Sequence, residues 1–280
     1  MISKRNFNIN FVIVSPFPDY VSHIGGATVP HTLANELTKL GENVYIYANE
    51  TNPKYNINCI PWGSNVEFDN ENTVVIFLGG AGDHINREYV PDNLKNASNI
   101  VRWVVQHQER SYSPEDKVYV FHKYWDMFPE QRVDGELSVI EVDLNLFRDR
   151  GEKREGTCYL IKGHLDEEAE RAIHKPEDYC IDSVFYSIPN DKKMEFLADL
   201  FNKKECFITY TPMTFTSVLA AMCGCQSIVI PKSKYNKEKW MNDIWCSKYG
   251  IAYGLDDVPR AMNTMKDVIP NIEQIGRAHV

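Results

Sequence analysis

The 280-residue chain predicts an α/β protein of two successive halves, each a parallel sheet wound with helices on both faces. Short β-branched runs alternate with helix-length amphipathic stretches from end to end. Several of the runs are apolar on both faces, as strands buried within a parallel sheet must be. A charged stretch poor in core residues lies near residue 150 and divides the chain almost evenly, in keeping with domains of ~150 residues.

Residues 11–15 read as the first strand and 16–28 as a loop. Residues 30–40 follow as a helix, with Leu33, Leu37 and Leu40 at helical spacing and Gly41 as its stop. Residues 44–48 are the next strand, so the chain opens with a strand, loop, helix, strand unit, a parallel pair joined by a right-handed crossover. Four further strands are expected at 74–78, 100–105, 118–121 and 137–142. Residues 143–156 are expected to link the halves. The second half alternates again: strand 158–161, helix 165–174, strand 180–185, helix 191–201, strand 206–210, helix 214–223, strand 227–230. A last helix over 258–269 has Asp256 and Asp257 placed to cap it and Pro259 in its first turn. The expected domains are residues 1–150 and 151–270, and residues 271–280 read as a frayed tail with no packing role.

Hydrophobic residues make up 43% and charged residues 25%, which excludes a disordered chain. With 30 Lys+Arg against 39 Asp+Glu the net charge is -9, the wrong field for duplex nucleic acid, so no nucleic-acid partner is expected and an anionic ligand must be held by local groups. The seven cysteines are odd in number and several lie in apolar runs, which favours buried thiols in a reducing compartment. No run approaches the ~20 apolar residues of a membrane span, and the start lacks a signal peptide's cleavage region. A cytoplasmic protein without a transmembrane segment is expected.

Three segments could carry chemistry. Gly25-Gly26 lies between the first strand and its helix, where backbone can approach a phosphate or sugar, although a tight turn uses the same pair. It is neither Gly-x-Gly-x-x-Gly nor a P-loop. Lys162-Gly163 follows the first strand of the second half, where an ammonium can meet a diphosphate or simply face solvent. The third segment runs from Tyr210 and Thr211 into a helix whose first turn gathers Thr214, Thr216 and Ser217 beside unsatisfied N–H groups and the positive end of the dipole. One of these hydroxyls can equally be a simple cap. Cys223-x-Cys225 belongs to a buried helix end and reads as structural. Trp103, Trp125, Trp240, Trp245, Tyr124, Tyr235 and Tyr249 could stack on sugar rings, though most read as core or rim.

Two α/β halves, Gly-Gly in the first loop, a lysine after the first strand of the second half, and an Ala-Met-Cys-Gly helix end followed by a Val-Ile-Pro strand together resemble the GT-B glycosyltransferases. The resemblance implies two Rossmann-like domains facing a cleft, with the acceptor on the first and the nucleotide-sugar donor on the second. It implies that Gly25 and Gly26 face the donor phosphate, that Lys162 contacts the diphosphate and that the turn from Thr214 to Ser217 cradles it. The chain departs from many retaining members, which carry two glutamates eight positions apart in this region, because Thr211 and Leu219 stand in their places.

No Asp-x-Asp signature of a metal-dependent transferase occurs, so no metal and no cofactor are expected beyond the nucleoside-diphosphate sugar as co-substrate. Lys162, helix N-termini and a second base such as Lys232 or Arg148 would neutralise the leaving diphosphate. Asp19 and His31, with His23 beside them, are the candidates for the base that activates an acceptor hydroxyl; His31 is read in the first helical turn, kept neutral by the dipole. The expected activity is transfer of a hexose to a glycan, lipid-linked or other hydroxyl acceptor. An epimerase or hydrolase of the same fold, and a non-catalytic nucleotide or glycan-binding module, are the alternatives.

Overall fold

A computed structural model of the chain describes residues 9–65, 67–79, 90–105, 112–121, 131–161, 173–212, 214–230, 236–244 and 246–278. The chain divides into two compact units, one of residues 1–141 with 275–280 and the other of residues 142–274. Among the described residues each unit is an α/β body with one wholly parallel sheet.

The first unit contains β1 (Asn10–Val14), β2 (Asn43–Tyr47), β3 (Asn58–Ile60), β4 (Thr73–Gly79), β5 (Asn99–Val104), β6 (Lys117–Val120) and β7 (Gly135–Glu136), in the order β3-β2-β1-β4-β5-β6-β7. Its helices are α1 (Gly25–Lys39) and the single turn α2 (Asp92–Lys95). β1 alternates strictly: Ile13 joins Leu33 and Ala34 of α1 on one face, and Val12 and Val14 join Phe77 and Leu94 on the other. Burial on both faces is what the near-continuous apolar run of β4 requires.

The second unit contains β8 (Thr157–Leu160), β9 (Tyr179–Cys180), β10 (Cys206–Thr209), β11 (Gln226–Val229) and β12 (Ile251–Tyr253), in the order β12-β11-β10-β8-β9. Its helices are α3 (Asp182–Phe185), α4 (Lys193–Lys203), α5 (Phe215–Met222), α6 (Lys237–Asp243), α7 (Val258–Thr264) and, up to residue 274, α8 (Val268–Ala278). Both orders are doubly wound: they reverse between β1 and β4 in the first unit and between β8 and β10 in the second.

Several expectations are corrected. α1 begins at Gly25, not at Pro30, so Pro30 sits inside the helix and Gly26 lies four residues before it, where its carbonyl loses only the bond that Pro30 cannot donate. Residues 137–142 are not a strand; the pairing is confined to the two residues before them, Gly135 and Glu136 against Tyr119 and Val120, and Val139 drops into the core instead. Residues 180–185 are the end of β9 followed by the turn α3. Most of the expected helix 165–174 lies outside the described residues. Residues 271–278, read as a tail, belong to α8.

The stretch 143–156 is not a loose linker. Phe147 is fully buried, and Asn202 on α4 accepts from Arg150 N–H at 2.8 Å and donates to the Arg148 carbonyl at 3.1 Å and the Ala198 carbonyl at 2.9 Å. Arg154 donates to the Cys223 carbonyl at 2.7 Å, placing a cation at the negative end of α5. α5 closes there with Gly224 at φ +77°, the Gly224 and Cys225 N–H groups bonding back to Ala221 and Ala220, and α1 ends the same way through Gly41. A Cβ on Gly224 would sit 2.6 Å from the Asp149 carboxylate, so the close approach as well as the φ demands glycine. All seven cysteines are free thiols.

Asn202 is fully buried with both ends of its amide used, so Asn202→Ala should cost about 2–3 kcal/mol by leaving the Arg150 N–H and the Arg148 carbonyl unsatisfied. Urea unfolding should show the midpoint falling with the slope unchanged.

Candidate functional site

In an open parallel sheet, ligands bind outside the carboxyl ends of the strands where the order reverses. In the second unit this point lies between β8 and β10. Tyr210 and Thr211 leave β10 there, with the Thr211 N–H on the Thr209 hydroxyl at 3.3 Å. The Pro212 carbonyl is held by the Trp240 indole N–H at 2.6 Å. Thr214 then caps α5, its Oγ1 accepting from the Thr216 N–H at 3.4 Å and its carbonyl from the Ser217 N–H at 3.1 Å.

The cap leaves the turn open. Among the described residues nothing accepts from the Phe215 N–H, and that of Thr216 has only the long bond to its cap. Ser217 is 2% exposed and, among the described residues, its hydroxyl has no hydrogen-bond partner. A buried hydroxyl without a partner carries a desolvation cost of about 1–3 kcal/mol, which a bound acceptor would remove. Thr211, Thr214, Thr216 and Ser217 are thus brought together at one strand end, while Lys162, Gly163 and Lys232 lie outside the described residues. Arg148 is exposed.

Tyr210 is corrected. Its ring is packed in the core, and its hydroxyl meets His174 Nε2 at 2.7 Å. His174 stacks on Tyr159 with ring centroids 3.7 Å apart, and its Nδ1 lies 3.6 Å from the Asp178 carboxylate. Burial lowers the His174 pKa, with Asp178 pulling it back up. Tyr210 therefore anchors the strand end and offers no open hydroxyl.

Sequence reading missed Asp182. The second unit's second strand, β9, stops at Cys180, and Asp182 Oδ2 accepts from the Ile161 N–H at 2.5 Å, at the carboxyl end of β8. Its place at a strand end before a helical turn was concealed by the apolar residues Ile181, Val184 and Phe185, which read as a continued strand.

The first unit's reversal lies between β1 and β4. Gly25 and Gly26 are not a free loop there but the first turn of α1, and neither has a positive φ. A Cβ at Gly25 would meet nothing within 4 Å, and at Gly26 only Phe17 at 3.7 Å. Ile24 at the cap cannot bond the turn, so among the described residues the Gly25 and Gly26 N–H groups have no acceptor. Asp19 is exposed in the preceding loop.

His31 is also corrected. It lies in the second turn of α1, 1% exposed, with Nδ1 accepting from the Asn52 N–H at 3.1 Å and its ring edge-on to Tyr20. Burial, not the helix dipole, lowers its pKa to about 4. Burial, with the Glu141 charge added, pushes the Tyr20 hydroxyl up to about 12. The neutral imidazole of His31 is a core acceptor.

Among the described residues no three His, Cys, Asp or Glu side chains group so as to hold a metal ion, and no helix is long and apolar enough to cross a membrane. Burial raises the thiol pKa of Cys223, whereas for Cys225 the hydrogen bond with Cys158 is the larger cause and burial adds to it.

No protein-family profile matches the chain, and no curated protein does. Solved structures similar to it include two glycosyltransferases. One is the spinosyn rhamnosyltransferase SpnG complexed with thymidine diphosphate, 12% identical, covering 96% of this chain and 94% of that one with a TM-score of 0.41. The other is the glycosyltransferase SnogD from Streptomyces nogalater, 10% identical, covering 97% and 95% with a TM-score of 0.42. At this distance the residues that matter here are identified by this chain's own geometry.

Two outcomes are expected. Gly25→Ala should leave thermal stability within about 1 kcal/mol, since the added methyl enters open space on a helical backbone. For His31, the folded pKa of about 4 lies below the unfolded value of 6.5, so the unfolded chain takes up the proton first on acidification. Its contribution is whole above pH 6.5 and is lost as the pH falls toward 4, on the order of 2–3 kcal/mol. Urea titrations at pH 7 and pH 4.5 should show a larger loss for the native chain than for His31→Gln.

Proposed function

We propose that the chain is a metal-independent glycosyltransferase that moves a sugar from a nucleoside-diphosphate donor to a hydroxyl acceptor, a glycan or a lipid-linked sugar. The observation that carries this reading is the first turn of α5 at the order reversal of β8 and β10, where an unbonded backbone N–H and the buried, unpartnered Ser217 hydroxyl meet. Diphosphate is the ligand that suits such a turn, because it is an anion rich in acceptors. Thr216 and Ser217 would bond its oxygens beside Thr211 and Thr214, with Lys162 and Gly163 completing the contact from the end of β8.

In transfer, charge develops on the leaving diphosphate, and fixed N–H groups and hydroxyls stabilise it without reorganising. The acceptor would bind the first unit. Asp19 remains as the base on that side, since His31 is sealed in the core with its acceptor nitrogen in use. The free thiols agree with a reducing, cytoplasmic setting.

That same loss of His31 favours a second reading, a nucleotide-binding module without catalysis. Incubation with labelled nucleotide sugars separates the two: a transferase releases nucleoside diphosphate in step with glycosylated acceptor, and a module releases none.

The binding step is tested by thermal melting with nucleoside diphosphates, with the bare nucleosides as contrast. Diphosphates are expected to raise Tm and nucleosides to do so far less. Ser217→Ala is expected to leave the ligand-free stability unchanged or slightly higher, because it removes an unpartnered buried hydroxyl, and to weaken diphosphate binding about 3–10-fold. A folded protein that no diphosphate stabilises would end this reading.

A further inference from the structure

A phosphate cradle on α5 leaves the sugar of the nucleotide without a partner, and the two glutamates of the resembling family are absent from this chain. One carboxylate does stand at the same sheet edge. Asp182 follows β9, the second strand of the second unit, and bonds the first N–H beyond β8, that of Ile161, at 2.5 Å. The ladder itself supplies the preceding bond, from the Ile181 N–H to the Tyr159 carbonyl at 2.9 Å, and ends there as the chain turns into α3.

Holding the Ile161 N–H needs a single acceptor, which a serine or an asparagine would also provide. A carboxylate brings two oxygens, and among the described residues the second oxygen of Asp182 has no partner. Asp182 is partly exposed, and its carboxylate lies at the carboxyl end of β8. Dinucleotide-binding sheets offer a chemical precedent, an acidic residue about twenty residues beyond the glycine fingerprint that accepts from a ribose 2′-hydroxyl, although this chain lacks the fingerprint itself. β9 and β10 lie on either side of β8, so their ends are about 10 Å apart at the usual strand spacing. That is the scale of one nucleotide reaching from its diphosphate to its ribose.

We infer that Asp182 reads the ribose of the bound nucleotide by accepting a hydrogen bond from its 2′-hydroxyl, so that the ligand is a ribonucleoside and not a 2′-deoxyribonucleoside diphosphate. This rests on the nucleotide reading above and narrows it to one class of donor. Asp182 is a specificity residue in this role, distant from the bond that breaks.

The test is titration calorimetry on the full chain with UDP, GDP and ADP, each against its 2′-deoxy counterpart. The best-bound ribonucleotide is expected to bind about 10-fold or more tightly than its deoxy form, the effect of one hydrogen bond to a charged acceptor. Asp182→Asn keeps an acceptor for the Ile161 N–H and should cut that ratio several-fold; Asp182→Ala should bring it close to one. In both variants the affinity for the deoxy nucleotide should stay within about threefold of the native value. A purely structural role would weaken both ligands together and leave the ratio unchanged, and that result overturns the inference. A native ratio near one, with diphosphates still bound, overturns it while sparing the proposed function. Failure of every diphosphate to bind removes both.

Discussion

Parallel pairing is the constraint from which the rest follows. A parallel strand cannot reach its neighbour through a tight turn and needs a crossover of a dozen or more residues, so all carboxyl ends gather at one edge of each sheet. Where the strand order reverses, the crossovers leave toward opposite faces and open a crevice. β1 with β4 and β8 with β10 are those places here, and α1 and α5 each start from one of them. Both helices therefore start with their first-turn N–H groups at the carboxyl edge of their sheet, beside the reversal.

The far end of α5 is fixed as firmly as its start is open. Gly224 turns the chain back, and Arg154 bonds both the Cys223 carbonyl and Asp149, covering the carbonyls that the helix leaves over. Asn202 ties the same charged stretch to α4. Half of a helix dipole is thus answered by protein groups while the other half is left to whatever binds. Core packing at Phe201 and Phe207, with rings 5.1 Å apart, and the bond from the Trp240 indole to Pro212 hold the loop and helix in register with β10.

Strands buried on both faces were legible in the sequence, because the runs 11–15, 74–78 and 206–210 have no room for another reading. β3 and β12 were not: each is three residues long, and β3 exposes Asn58 and Cys59 at the edge of its sheet. Pro30 misled because proline usually marks a first turn, whereas here the chain entered the helix five residues earlier. The hydroxyl turn at Thr214 was legible from type and spacing together, a cap residue after a strand and before small apolar residues. Side-chain direction was not. Tyr210 stands at the expected strand end and His31 one turn deeper in its helix than expected, and both face inward, since an amphipathic period says which positions share a face and not which of them a neighbouring Asn52 or His174 will claim.

An acidic chain with a carboxylate near the proposed diphosphate site raises the matter of repulsion. Two unit charges about 10 Å apart in water interact by only ~0.4 kcal/mol, and salt reduces this further. A hydrogen bond from a ribose hydroxyl to a carboxylate contributes about 1.5–3 kcal/mol. The local contact therefore outweighs the long-range field, provided the carboxylate stands at the sugar's end of the nucleotide and not at the phosphate's. The sheet enforces that order: Asp182 follows β9, α5 follows β10, and β8 lies between them. A net charge of -9 is compatible with an anionic ligand on the same terms, because the N–H groups of a helix's first turn carry positive partial charge whatever the sum over the chain.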